Sequence, residues 1–574
     1  MTELYSSMIV YQNIKLLGLL LLLWVSEVEG NKSDNPVVST NYGQLKGKRV
    51  EVKDTEKAVY SYLGVPFAKP PVGPLRFSPP QPVESWKGVR EATTYPPMCL
   101  QDMKMLQIIF DIMKVKMPAL ESKEDCLYLN VHTPVHPSEE AKLPVMVWIH
   151  GGALVSDGAS SADGSPLAAY GNVVVVTIQY RLGIFGFFST GDEHARGNWG
   201  LLDQVAALRW VKENIKSFGG DPDSVTIFGE SAGGISVSFH VLSNLSSGLF
   251  HKAISDSGAA FSPGFYSHNP QSFAKEFASF IGCNTSENLS MVQCLRLKSE
   301  EEILNTTISL KISSMPVVHD GVFLKKSLEE LFRAKEFNSV PYLLGVNNHE
   351  AGWLLPSLFF PSLAWQSGIE RGHIDSFMDD VFNILKSGKE MKSLLKEEYF
   401  KDIQDPIQLR DLLLELIGDF LLVIPIIRVA NYHRDAQNPV YLYEFQHRPS
   451  AFRDSRPDFV KSDHADEIGF VFGAPFSTSD FVLLENATEE EKIFSKTVMA
   501  YWSNFARTGS PNGKGLLEWP VYDQEENYMK LNIKQDIASH LKENRMFFWT
   551  KTLPAKIKEM SEEEREHSEL YFNL

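Results

Sequence analysis

The sequence predicts an α/β fold with a mostly parallel central sheet and helices on both of its faces. Two apolar runs, Val145-Met146-Val147-Trp148-Ile149 and Val173 to Ile178, have the unbroken hydrophobicity of strands buried on both sides. Leu201 to Phe218 repeats Leu202, Val205, Leu208 and Val211 along one helical face, and Gly219-Gly220 ends it with residues that tolerate a left-handed cap. After Asp221-Pro222, the strand-like Val225 to Phe228 runs into Gly229-Glu230-Ser231-Ala232-Gly233-Gly234, whose small residues permit a sharp turn into another helix. Alternating strands and helices of this kind pair in parallel.

Taken in order, the chain opens with Leu16 to Val25, an apolar run behind Lys15 and ahead of Val28-Glu29-Gly30. It is too short to span a bilayer comfortably, so residues 1–30 read as a secretory signal, with Met8 as an alternative start and an uncleaved anchor as the competing reading. No Pro/Ser-rich linker or internal repeat divides the rest of the chain, so residues 31–566 read as a single domain, with 567–574 as a short tail. Pro36 to Arg76 reads as a meander at the sheet edge, because Gly64-Val65-Pro66-Phe67-Ala68-Lys69-Pro70-Pro71 is too proline-rich for a central strand.

The Cys99 to Cys126 segment carries Met103, Met105, Met113 and Met117 among Leu106, Ile108, Ile109, Phe110 and Ile112. Such a run serves equally as an adaptable surface for apolar ligands or as packed core. Later strands are expected at Lys252 to Ser255, Tyr342 to Val346 and Val440 to Phe445. Between the last two, Ser357 to Ala430 has a helical pattern suited to a lid or side domain over the C-terminal end of the sheet.

A formal net charge of −17, spread along the chain, provides no basic face for phosphate contacts, so nucleic acid is excluded as a partner. Four cysteines in an exported chain point to two disulfides. Proximity pairs Cys99 with Cys126 and Cys283 with Cys294, although four cysteines allow three connectivities. Acceptor sequons at Asn31, Asn244, Asn284, Asn288, Asn305 and Asn486 agree with a lumenal route. HExxH, paired CxxC, EF-hand and Walker patterns are all missing, so neither a metal nor a nucleotide cofactor is expected.

Ser231 is the candidate nucleophile. A serine hydroxyl needs a histidine to take its proton, and the histidine needs a carboxylate to fix its tautomer. In the hydrolase arrangement these come in the order serine, acid, histidine, from loops after successive strands. Glu350 ends Gly345-Val346-Asn347-Asn348-His349-Glu350, directly after a strand, and His464 lies in Lys461-Ser462-Asp463-His464-Ala465-Asp466-Glu467, beyond the last expected strand. His447 competes as the base, and Asp466 and Glu467 are open to a reading as solvated charges beside a structural His464. His150-Gly151-Gly152-Ala153, after the Val145 to Ile149 strand, is placed to offer backbone N–H groups to an oxyanion, with another from Ala232; the plainer reading is a glycine turn.

HGGAL at His150, EDCLYLN at Glu124, GNWGLLDQVAALRWVKENI at Gly197 and GESAGG at Gly229 together resemble the type-B carboxylesterases. GVNNHEAGWLLP, YEFQHRPS, DHADEIGFVFG and YWSNFARTGSPNGKGL are most similar to the mammalian carboxylesterase 2 branch of that family. The resemblance implies an α/β-hydrolase fold and hydrolysis of small-molecule carboxylic esters, favouring a small acyl group and a bulky alcohol. It implies Ser231 as nucleophile, Glu350 as acid, His464 as general base, backbone donors at Gly152, Ala153 and Ala232 beside Gly151, and the two local disulfides. Ala153 departs from the third glycine common in the wider family, and its methyl narrows the approach to the backbone.

The tetrapeptide His567-Ser568-Glu569-Leu570 looks like an endoplasmic-reticulum retention signal, but Tyr571 to Leu574 come after it, so secretion is expected unless the tail is trimmed. An adhesion protein of the neuroligin kind would share the fold without needing the three candidate residues. A cholinesterase would favour an aromatic face for its cation, yet the Cys99 to Cys126 segment has no tryptophan.

Overall fold

The computed structural model describes residues 35–559 apart from 117, 138, 361 and 385–388. The expected signal segment, the Asn31 sequon, Met117 and the 567–574 tail lie outside the described residues. The centre is an eleven-stranded mixed sheet. Its strands in chain order are β1 (Lys48–Val50), β2 (Val59–Pro66), β3 (Tyr128–Thr133), β4 (Leu143–Ile149), β5 (Val174–Ile178), β6 (Gly220–Glu230), β7 (Lys252–Asp256), β8 (Tyr342–Asn347), β9 (Val440–Phe445), β10 (Asn527–Leu531) and β11 (Asp536–Ser539). Their spatial order is β11-β10-β9-β8-β7-β6-β4-β5-β3-β2-β1. From β10 through β5 every neighbouring pair is parallel, and the pairs beyond either end are antiparallel.

Alternation along the strands explains the two layers of core. Val145, Val147 and Ile149 of β4 join one cluster with Val205 and Leu208 of α1 (Trp199–Asn214) and Ile235 of α2 (Ala232–Leu242). Met146 and Trp148 point the other way, to Phe494, Val498 and Trp502 of a long helix spanning Glu489–Thr508. A strand with apolar residues on both faces needs helices on both, and the fold supplies them.

The order reverses between β5, β4 and β6, and the crevice beyond the carboxyl ends of strands at such a reversal is where open α/β sheets bind ligands. Residues 354–435 are helical for most of their length, as expected, in pieces that include α3 (Leu354–Phe359) and α4 (Pro406–Gly418). They share an apolar cluster with Ala351 and with Phe548 and Trp549 near the end of the described chain.

One expectation needs correction and two are refined. Two strands come after the one expected to be last, because Asn527 and Lys530 interrupt the short β10 and the edge strand β11 is largely exposed, which hides the usual apolar signal. The proline-rich run from Gly64 begins inside β2. Gly64 at φ +70° takes up a bulge between Tyr62 and Val65, and Pro66 closes the strand opposite Tyr128. The methionine-rich segment is a helix, Met103–Ile112, that divides between both readings. Leu106 and Phe110 pack with Met98, Val115 and Phe481, while Met105 and Ile108 are exposed.

Disulfides join Cys99 to Cys126 and Cys283 to Cys294. Among the described residues no helix is long and apolar enough to cross a membrane.

Candidate active site

Ser231 stands at the carboxyl end of β6 with φ 55° and ψ −124°, a strained backbone conformation for a residue with a Cβ. Close packing of backbone around it fixes the turn. Its N–H donates to the Asp256 carbonyl at the end of β7 (2.9 Å), and its carbonyl accepts the Ile235 N–H of α2 (2.9 Å). A Cβ on Gly233 would sit 2.0 Å from the Ile149 carbonyl oxygen, and one on Gly258 2.1 Å from the Ser231 carbonyl oxygen. Both positions therefore exclude any side chain. The turn exposes the serine at the amino end of α2, where the first N–H groups and the helix dipole favour negative charge.

Across β4, the turn after Ile149 lies against the serine. A Cβ on Gly151 would come within 3.3 Å of the Ser231 Cβ. Gly152 at φ +85° leaves no room for a side chain, and its carbonyl accepts the N–H groups of Val155 and Ser156 (2.9 Å each). Ala153 adopts φ 55° and Leu154 φ 61°, left-handed values that a glycine takes at less cost. Behind this turn the ring of His150 stacks on Tyr180 at 4.3 Å, and the Tyr180 hydroxyl donates to the His150 carbonyl (2.8 Å). Burial pulls the His150 pKa down, so its ring is neutral and acts as a wall for the turn.

The other partners come from the loops after β8 and β9. Glu350 accepts from His464, whose Nδ1 lies 2.8 Å from Oε2. The other Glu350 oxygen accepts the Ser257 hydroxyl and the Asn347 N–H, both at 2.6 Å. Glu350 is buried, so these bonds set its rotamer and leave Oε2 to fix the histidine tautomer. The far nitrogen of the ring reaches the serine turn, where Nε2 lies 3.0 Å from Oε1 of Glu230 rather than in a hydrogen bond to the Ser231 hydroxyl.

Sequence reasoning passed over Glu230, although an acid at the end of a buried strand is a signal in its own right. Burial raises its pKa to about 8, opposed by His464 and aided by the charges of Glu350 and Asp256. Burial by itself would lower the His464 pKa, but Glu230 and the Glu350 hydrogen bond and charge outweigh it and hold the imidazole above its ordinary value. Oε1 of Glu230 makes no hydrogen bond, so its 3.0 Å contact with Nε2 acts through charge.

The rival histidine sits elsewhere: His447 Nε2 is 2.9 Å from Glu491, between the rings of Phe470 and Phe494. Asp466 and Glu467 are not the solvated charges of the plainer reading. Asp466 is buried against Arg456 (2.8 Å), and Glu467 is fully buried and accepts from Asn347 Nδ2 (2.5 Å). Asp256 is buried too and accepts from the Tyr443 hydroxyl (2.6 Å).

A serine at a strained turn, with the Gly151 turn against it and a histidine, fixed by a carboxylate, reaching its neighbour Glu230, is an arrangement suited to acyl transfer. The model of the Carboxylesterase family matches residues 34–549. The chain belongs to the carboxylesterase family. It is therefore a carboxylic ester hydrolase of the α/β-hydrolase fold. This carboxylesterase is 52% identical to the medium-chain fatty acyl-CoA hydrolase precursor of Anas platyrhynchos over 94% of this chain and 96% of the relative. It is 48% identical to the acylcarnitine hydrolase of Mus musculus, covering 97% of this chain and 98% of the relative. It is also 48% identical to the cocaine esterase of Homo sapiens, over 96% of this chain and 97% of the relative.

Proposed function

We propose that this carboxylesterase hydrolyses a broad range of small-molecule carboxylic esters through an acyl-enzyme on Ser231. The observation that carries the reading is the convergence of the Ser231 turn with the Glu350–His464 pair, whose Nε2 reaches the residue next to the serine. In the first half-reaction the Ser231 oxygen attacks the ester carbonyl carbon while its proton passes to His464 Nε2. Glu350 stabilises the resulting imidazolium. The N–H groups of Gly152, Ala153 and Ala232 receive the developing oxyanion, and Gly151 leaves space beside the serine. Collapse of the tetrahedral intermediate breaks the bond to the alkoxy oxygen, which leaves as the alcohol with the proton from His464. Water then repeats the sequence on the acyl-enzyme, with His464 again as base, and releases the carboxylic acid and Ser231.

Relatives named for acyl-CoA, acylcarnitine and cocaine have leaving groups of very different shape, which supports broad specificity here. A small acyl group with a bulky alcohol is the favoured combination. The enzyme enters the secretory pathway, a reading supported by its two disulfides and by sequons exposed at Asn244, Asn284, Asn305 and Asn486. Asn288 differs, because its side-chain amide donates to Asp192 (2.8 Å). Turnover by the Ser231→Ala variant on a matched series of acyl and alcohol esters tests the mechanism. Turnover is expected to vanish with the fold intact, and substantial remaining hydrolysis at neutral pH would refute the assignment.

A further inference from the structure

His464 has a support problem that its neighbours in the sheet do not share. The chain leaves β9 at Phe445 and reaches His464 through a segment whose one regular element is the short turn Ser450–Phe452. Beyond Gln446, whose N–H donates to the Leu531 carbonyl of β10 (2.8 Å), backbone pairing with the sheet does not hold this segment, yet His464 Nδ1 is kept 2.8 Å from a carboxylate on a different loop.

The residue before the histidine supplies the missing constraint. Asp463 is fully buried, and its carboxylate accepts the backbone N–H of Trp353 (2.9 Å) through Oδ1 and that of Leu354 (2.8 Å) through Oδ2. Those donors lie at the start of α3, a few residues beyond Glu350. The Asp463 N–H donates in turn to Asp466 Oδ2 (2.8 Å), and both Asp466 oxygens lie 2.8 Å from Nη1 of Arg456.

The same two loops meet again beside it. The Ser462 hydroxyl donates to the Asn347 side-chain oxygen (2.9 Å), the Ser462 N–H to that of Asn348 (3.1 Å), and the His349 N–H to the Ser462 carbonyl (3.0 Å). Hydrogen bonds to an ionised acceptor are stronger than neutral ones, and among these contacts Asp463 alone gives both carboxylate oxygens to the other loop.

We propose that Asp463 is a positioning residue for ester hydrolysis: its carboxylate, seated on the Trp353 and Leu354 N–H groups, locks the His464 loop to the Glu350 loop. It touches neither substrate nor the reacting atoms. The inference rests on the Ser231, Glu350 and His464 reading. Asp463→Asn keeps the shape but turns an amide donor toward one of the two N–H groups, which loosens the lock without removing the histidine.

The test is kcat and KM for Asp463→Asn on a soluble ester, normalised to sites titrated by a fluorophosphonate and read on the high-pH plateau. There His464 is neutral in variant and parent alike, so the lost charge of Asp463 has no effect through protonation. A displacement of about 1 Å of a catalytic group can cost roughly 100-fold. Plateau kcat per site is expected to fall by about 10- to 100-fold with KM essentially unchanged.

A merely structural Asp463 would instead lower the thermal midpoint and the number of titratable sites while leaving kcat per site intact, and that result overturns the proposal. Should Asp463→Asn not fold, Ser462→Ala removes a neighbouring bond of the same lock. It is expected to give a smaller loss of plateau kcat at constant KM, and an unchanged plateau overturns the proposal. Labelling of the parent enzyme anywhere but Ser231 would instead overturn the triad reading on which the inference stands, so the two failures are told apart.

Discussion

The two sides of the active site are held by different means. On the serine side the contacts are between backbones: Ser231 N–H to Asp256 carbonyl, Gly233 against the Ile149 carbonyl, Gly258 against the Ser231 carbonyl. The parallel register of β4, β6 and β7, with Gly229 opposite Ile149 and Glu230 opposite Asp256, leaves the turn little freedom. On the base side one backbone bond joins the loops, His349 N–H to the Ser462 carbonyl, and the other contacts run through side chains, from Glu350 to Ser257, Asp463 to α3, Ser462 to Asn347, and Asp466 to Arg456. A nucleophile set by sheet geometry tolerates almost no change of residue around it. The proposed base is set mostly by side-chain bonds, and the carboxylates around it raise its pKa against the pull of burial.

The largest effect expected on the base side is from His464→Ala. Members of a triad act as a unit, so kcat should fall by roughly 10⁴-fold or more while the thermal midpoint changes little. Steady-state hydrolysis alongside a thermal melt checks this, and a loss of only a few fold would place the base elsewhere. The matching change on the serine side is Gly233→Ala, which forces a methyl into the Ile149 carbonyl. Overpacking of this kind costs about 1–3 kcal/mol, so denaturant unfolding should show that loss together with a drop in activity. A variant as stable and active as the parent would show that the turn is not fixed by close backbone packing.

Glu230→Gln separates charge from position. Neighbouring carboxylates raise a histidine pKa, and the base must be neutral to act, so kcat/KM rises with pH through that pKa. Removing the Glu230 charge lowers the His464 pKa and moves the acid limb of the kcat/KM profile to lower pH. An acid limb that stayed in place, or moved up, would contradict the role of the Glu230 charge in raising the His464 pKa. The smallest effect is expected from Ala153→Gly. Relief of the left-handed φ and greater unfolded-chain freedom oppose each other, leaving stability within about 1 kcal/mol. The preference between bulky and small esters should shift, measured as a ratio of kcat/KM values.

The same contrast governs how much of the site was legible in the sequence. Ser231, its strand and the glycine turn at Gly151-Gly152 are local patterns, since the residues that shape the turn are neighbours in the chain or lie in plainly apolar strands. Glu350 and His464 stood out as candidates by order and loop position, but nothing local distinguished His464 from His447. The bonds that set them apart join residues such as Asn347 and Ser462, 115 positions apart. Asp463 was invisible for the same reason, as a buried acid next to a histidine reads from sequence as one more loop charge. Glu230 was the exception that could have been found, being an acid at the end of a strand with no exposed face.

The most direct measurement is covalent. The purified enzyme is treated with a fluorophosphonate, digested, and the modified residue mapped, in the parent and in His464→Ala. A single adduct on Ser231 is expected in the parent, with a labelling rate that collapses in the variant. An adduct on another residue, or labelling of Ser231 at an undiminished rate without His464, would contradict the triad assignment.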